Sequence, residues 1–415
     1  MPDRLQVWLH DLHVADIDQR RRSDARLRLR YTSDALERWP RNTPLVSCSL
    51  PLTNRPAQAL PFLTGLLPEG EALASLAARA QTSVVDTFGL LEHYGRDIAG
   101  AVVISGGAPD EGRFDLAPYD DAGLADEVGA LDQNPLGIHD DSELSLAGLQ
   151  NKLLLVRQGE GWARPIHGRP STHILKAEDR RYPELARAEA ECLILARAAD
   201  LTPVESTFQA IGGIPCLITE RYDRVVGADG SLRRVHQEDL MQALGRSAAA
   251  NRGRAKYQRG GGGGPGFGEA AQLLEAYADD PLIELARLAS AVAFIVAIGN
   301  ADAHAKNISL LHDTPTTVRL APLYDTVPTV LWPALTDDAA MSVDGGFPIG
   351  RLTLEDIVAE ATSWPLARAA AERAVEETLN RVLAAARASS FDRLATVVVA
   401  RCEALLAGRP AGYAL

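Results

Sequence analysis

Cysteine is scarce in this chain of 415 residues. There are four, Cys48, Cys192, Cys216 and Cys402, at spacings that match no metal-binding pattern. Scattered thiols in apolar surroundings lead us to expect neither zinc nor disulfides, and fit buried side chains in a reducing cytosol. Long hydrophobic runs are also missing. The longest, Leu288 to Ile298 with Ser290 inside it, is too short to span a bilayer and reads as a buried helix, so no membrane role is expected. Met1 to Arg4 lead into an alternation of Leu5, Val7 and Leu9 rather than an apolar signal region, which argues against secretion and for the cytoplasm. Base is outweighed by acid, with 42 Lys and Arg against 55 Asp and Glu and a net charge of −13. Such a chain does not grip DNA over a broad face by itself, since phosphate neutralisation supplies most nonspecific affinity. The glycine run Gly260 to Gly264 lacks a following Gly-Lys-Ser/Thr and a preceding β-run, so the P-loop and dinucleotide patterns both fail. It reads as a mobile surface loop. Its basic flank, Arg252, Arg254, Lys256 and Arg259, is either a solvated linker or a contact for a protein substrate or its bound tRNA.

What is present begins with a hydrophobic content of 46%, enough for real cores in two or three units. An apolar run leads into Asp302, Ala303, His304, Ala305, Lys306 and Asn307, and Asp325 follows in Leu-Tyr-Asp. Moving a γ-phosphoryl group demands positioning and charge neutralisation more than covalent chemistry by the protein. One carboxylate must hold the acceptor hydroxyl, here Asp302. Magnesium wants oxygen ligands and keeps several waters, so the Asn307 amide oxygen and the Asp325 carboxylate would complete a sparse shell. The Asp-to-Asn step equals that of the protein-kinase catalytic loop, and the later Asp falls where such kinases place a metal ligand. Taken alone, the pattern also describes a helix cap or turn.

Other kinase parts precede it in the expected order. Glu143 to Lys152, small and polar with a single glycine, leads into the strand-like run Leu153 to Val156, as a phosphate-covering loop or a surface turn would. Thr172 to Lys176 reads as a strand ending in a lysine able to reach the α and β phosphates. Glu189 lies on a helical stretch, Pro183 to Ala199, where it could pair with Lys176. Leu217, Ile218 and Thr219 run into Glu220, Arg221, Tyr222 and Asp223, suited to joining two lobes and offering backbone groups to adenine.

These residues resemble the HipA family, serine/threonine kinases of bacterial toxin–antitoxin pairs, over nearly the whole length. The matching phrases are Phe62 to Gly70, Phe88 to Leu91, Gly100 to Val102, Ser145 to Lys152, Thr172 to Lys176, Glu220 to Arg224, His236 to Asp239 with Ala243 to Gly245, Asp302 to Asn307, and Ala321 to Asp325. The glycine segment looks expanded relative to the family's. The resemblance implies ATP and Mg2+ as cofactors and autophosphorylation on Ser145. It implies Ala147, Gly148, Leu149, Gln150, Asn151 and Lys152 as the nucleotide-covering loop, Lys176 as the phosphate-binding lysine, and Glu220, Arg221 and Tyr222 as the adenine hinge. Asp302 is then the catalytic residue, His304, Lys306 and Asn307 contact nucleotide, and Asn307 and Asp325 hold the metal. In the family, phosphate on that serine ejects the loop and switches the enzyme off, and members phosphorylate an aminoacyl-tRNA synthetase, so the resemblance implies the same here. The implied partner is a HipB-like DNA-binding antitoxin, through which DNA would be met indirectly.

The expected fold is α+β: a two-lobed protein-kinase-like unit with a β-rich nucleotide lobe (142–219), a mostly helical C-terminal lobe (220–415), an additional N-terminal α+β subdomain (1–110) and a linker (111–141) with little helix or strand. Strands are expected at Gln6 to Leu9, Arg26 to Tyr31, Val46 to Leu50 and Ala101 to Ser105, and a helix at Glu71 to Ala80. A local basic cluster, Arg20, Arg21, Arg22, Arg26, Arg28 and Arg30, reads as a solvated strand face or as a patch meeting an acidic surface or a nucleic acid held by a partner. Two other functions stay open: a kinase of small molecules or lipid head groups, and a non-catalytic co-repressor that binds antitoxin and nucleotide.

Overall fold

The computed structural model describes residues 4–19, 26–148, 150–227 and 231–412; Arg20, Arg21, Arg22 and Leu149 lie outside the described residues. The chain divides into two compact units made of interleaved stretches. The first comprises 1–177, 208–248 and 312–316, and the second 178–207, 249–311 and 317–415.

In the first unit, strand Arg4–Leu9 buries Leu5, Val7 and Leu9 on one face, the period of two that a half-buried strand requires. It pairs antiparallel with Leu12–Asp18 and Val102–Ser105, and Arg28–Tyr31 and Ala57–Gln58 extend the sheet to five strands. Helices Leu60–Gly65, Gly70–Arg79 and Thr87–Tyr94 contribute Phe62, Leu63, Leu76, Phe88, Leu90 and Leu91 to the core on that sheet. Of the expected basic cluster, Arg30 reaches Asp18 at 3.7 Å, and Arg4 on the first strand meets Asp16 and Asp18.

The expected strand at Val46 to Leu50 is absent. Tertiary bonds win there over β-propensity: Cys48 N–H donates to Glu238 Oε1 at 2.8 Å and Ser49 Oγ to the Gln242 carbonyl at 2.7 Å, holding a turn. His312 Nε2 reaches the same Glu238 oxygen at 3.0 Å, so Cys48, Glu238 and His312 gather in the core from three distant stretches.

The second sheet of this unit has six strands in the order Ser206–Ile211, Ile214–Glu220, His173–Ala177, Lys152–Gln158, Gly161–Ile166, Asp115–Pro118. The last strand, with helix Asp121–Gly129, falls in the stretch expected to hold little regular structure. Asp120 caps that helix by accepting from Gly123 N–H at 2.7 Å, and Leu124 and Val128 join Leu153, Leu155, Leu175 and Ile218 in a core. Short elements survive there because their few apolar residues are buried.

The second unit is mostly helical around Pro281–Ile298. That helix starts on Asp280, whose carboxylate accepts from Ile283 N–H, with Pro281 in the first turn. Its 18 residues, of mean hydropathy 1.9, are long and apolar enough to cross a membrane by length and composition, more than the run read from sequence. Two thirds of it is buried inside the protein, against Phe267–Tyr277, Leu354–Thr362, Arg368–Ala388 and Asp392–Leu406, as a core helix would be.

Candidate active site

The core helix delivers the candidate catalytic segment. It ends at Gly299, which takes the left-handed conformation (φ 72°) that suits glycine after a helix. A Cβ there would lie 2.4 Å from Val330 Cγ2, so no larger residue fits without displacement. The last carbonyls meet a buried guanidinium: Arg401 donates to Val296 O at 2.7 Å, Ala297 O at 3.2 Å and Ile349 O at 3.1 Å. Burial, set against the nearby Cys402, lowers the Arg401 pKa to about 10. Asn300 then links two segments of the site. Its Oδ1 accepts from Asp302 N–H at 3.0 Å, and its Nδ2 lies 3.4 Å from Asp325 O. Ala301 N–H is held by Thr329 Oγ1 at 2.8 Å.

Asn307, closing the 3-10 turn Ala305–Asn307, donates from Nδ2 to Asp325 Oδ2 at 3.3 Å. Its Oδ1 is buried and has no hydrogen-bond partner among the described residues. A buried carbonyl-type oxygen without a donor is costly unless something else fills it. Asp325 adopts φ 50°, uncommon for a residue with a side chain, and strain of this sort gathers at functional sites. The Tyr324 hydroxyl donates to Lys306 O at 2.6 Å and so fixes the two segments beside each other. An amide oxygen with an open lone pair beside a carboxylate is the donor set of a hard divalent cation, and the residues fit magnesium.

Asp302 presents a side chain about half open to solvent, in salt-bridge contact with Arg259 Nη2 at 3.2 Å. Loss of hydration around it raises its pKa above the usual carboxylate value, against the lowering by Arg259, Tyr257 and Lys256, while Asp325 pushes the same way as burial. The His304 ring stands edge-on to Tyr257, 5.1 Å between centroids, and Lys306 is buried.

The remaining expected site residues are distributed between the units. In the first, Ser145 is wholly buried; its hydroxyl donates to Leu66 O at 3.1 Å and its N–H to Asp97 O at 2.9 Å. Lys152 Nζ turns back onto Ala147 O at 2.8 Å, and Gly148, at φ 119°, makes room for that ammonium, which a Cβ would approach to 2.6 Å. Gln150 and Asn151 follow, half-buried. Lys152 and Lys176 are register partners on neighbouring strands, both buried. Glu220 ends strand Ile214–Glu220, exposed, while the Tyr222 hydroxyl donates to Gln237. Arg221 is engaged in the interior: Nε and Nη2 reach Asp223, Nη1 reaches Ser171 Oγ, and its N–H is spent on Thr172 O. Glu189 is in the second unit, buried on helix Leu185–Ala198.

Sequence reasoning missed Asn300, Thr329 and the role of Arg259. The polar Asn300 at the end of an apolar helix is a signal that could have been weighed; the other two are visible only when the chain is folded. The glycine run is not a free loop. Gly262 N–H donates to Arg259 O and Gly264 N–H to Tyr257 O, and a Cβ at Gly262 would lie 2.2 Å from Tyr257 O, so the run is a tight turn that only glycine can make.

Comparison with known proteins places this geometry. Residues 5–105 match the HipA N-terminal domain, and residues 144–388 match the HipA-like C-terminal domain. The chain belongs to the HipA family. A putative kinase, Y4mE of Sinorhizobium fredii, is 35% identical over 375 residues, covering 87% of this chain and 84% of that protein. The serine/threonine-protein kinase toxin HipA of Shewanella oneidensis is 29% identical over 356 residues, covering 83% of this chain and 79% of the other. Among solved structures, a complex of Shewanella oneidensis MR-1 HipA, HipB and operator DNA contains a chain that superposes with a TM-score of 0.81 at 26% identity, covering 97% of each. The expected kinase-like fold of mixed helices and sheets is thus that of HipA.

Proposed function

We propose that this HipA-family protein is an ATP- and Mg2+-dependent serine/threonine kinase that acts on protein, the toxin of a type II toxin–antitoxin pair. The observation that carries the reading is the junction of Asn307 with Asp325, one amide oxygen left without a donor, next to the half-open carboxylate of Asp302. Relatives named as kinases support phosphoryl transfer, and the HipA and HipB complex of Shewanella oneidensis supports a HipB-like antitoxin as partner, with DNA met through it.

Each group has a role within this reading. Asn307 and Asp325 hold magnesium, which neutralises charge on the triphosphate. Asp302 orients the acceptor hydroxyl and receives its proton. Lys176 holds the α and β phosphates; the 147–152 stretch covers the nucleotide, the backbone at Glu220 to Tyr222 meets adenine, and His304 and Lys306 contact nucleotide. Of the hinge residues, Arg221 serves through position rather than through its side chain. Ser145 is the autophosphorylation site, an aminoacyl-tRNA synthetase the type of substrate, and the cytoplasm the place of action.

Labelled ATP and magnesium offered with whole-cell lysate test the reading: one discrete labelled protein band besides the protein itself is expected, absent with Asp302→Asn. Label confined to small molecules would favour a metabolite or lipid-head-group kinase. Growth arrest by Asp302→Asn protein would favour a co-repressor.

A further inference from the structure

The glycine-rich segment is stitched to the catalytic segment at several points. Ala305 N–H donates to Lys256 O at 3.2 Å, and the Tyr257 ring meets His304. Gln258 is itself pinned by Ala340 O and Ser342 N–H, both at 2.8 Å. Arg259 then lies with its guanidinium 4.7 Å from the Tyr257 ring centre, directed at Asp302. Its Nη1 donates to Ala301 O at 2.6 Å and to Asp338 O, and its Nη2 to Asp302 Oδ1 at 3.2 Å. A planar fork of donors stacked on an aromatic face loses little freedom on bonding, which a lysine could not match.

We propose that Arg259 is the positioning residue of Asp302: one guanidinium locks the backbone just before the carboxylate and also holds its Oδ1, alongside a hydrogen bond from Tyr257, so that the carboxylate is turned to meet the acceptor hydroxyl. This rests on the reading of Asp302 as the group that holds the acceptor. It also gives the glycine turn a task. Gly262 and Gly264 fold so closely under Tyr257, with Cβ positions 2.2 Å from Tyr257 O and 2.7 Å from Tyr257 C, that the turn sets where Arg259 starts. Acceptor geometry is therefore tuned from a segment remote in sequence from the catalytic motif.

The test uses full-length protein, labelled ATP with magnesium, and two acceptors, dephosphorylated casein and the chain itself. Arg259→Gln should lower kcat by about tenfold, as for loss of a charge-assisted hydrogen bond, with KM for ATP unchanged. Arg259→Lys should restore part of the loss, and Gly262→Ala should reproduce it. In an Asp302→Asn background, Arg259→Gln should subtract little more, because the two act as one unit. An equal further drop in that background, or kcat within about twofold of wild type for Arg259→Gln, would overturn the proposal while leaving the kinase reading intact. Wild-type protein that labels neither acceptor would remove both.

Discussion

Two places in this molecule concentrate charge, and they treat it in opposite ways. Around Asp97 in the first unit, Arg221 and Arg224 meet Asp97 and Asp223, all nearly inaccessible to water, with further bonds to Ser171 N–H, Ile98 O and Gly100. Every carboxylate there has cations and N–H groups turned to it. In the second unit, Asp302 is half open, Asn307 keeps a buried oxygen without a donor, and Asp325 holds a strained backbone. Carboxylates met by cations and N–H groups fasten the chain; the open amide oxygen of Asn307 is where a ligand has something to add.

Substitutions can break this contrast from either side. The largest effect is expected from Asp302→Asn, which should cut phosphate transfer by about 10³-fold with little change in thermal midpoint; a kinetic assay beside a melting curve separates the two. Asp97→Ala should do the converse, costing about 3 kcal/mol or more in urea unfolding by leaving buried Arg224 with one of its two carboxylate partners removed. Next, Asn307→Ala should raise the magnesium concentration needed for half-maximal rate by roughly tenfold to a hundredfold, read from a metal titration at saturating ATP. A smaller effect should come with acid. Burial alone would raise Asp97 and Asp223, but Arg221 and Arg224 hold both below the ordinary carboxylate value. Their stabilisation is thus complete above that ordinary value and is lost as pH falls through the depressed folded ones. Unfolding midpoints of wild type should drop as pH falls below about 4, and those of Asp97→Asn should drop less.

The same contrast explains what could be read from sequence. Asp302 and Asn307 sit within one turn-sized motif with Asp325 shortly after, so their order survives in the linear chain, and the apolar helix before them announces a buried scaffold. The Asp97 knot was invisible because its arginines are supplied from more than a hundred residues away. Composition misled at the glycine run, where freedom of φ and absence of Cβ serve close packing under Tyr257 rather than mobility. It misled again at 111–141, whose polar residues concealed a strand paired to Gly161–Ile166 and a capped helix.

The seat of Ser145 carries a consequence for timing. A hydroxyl with no accessible surface, spent on the Leu66 carbonyl, can be modified only in the fraction of molecules where that stretch has come undone. Once esterified, a dianionic oxygen cluster could not return to a niche cut for a single hydroxyl. Each covalent mark would then tally one opening event, and the protein would carry a ratchet whose pace is set by local unfolding instead of by chemistry.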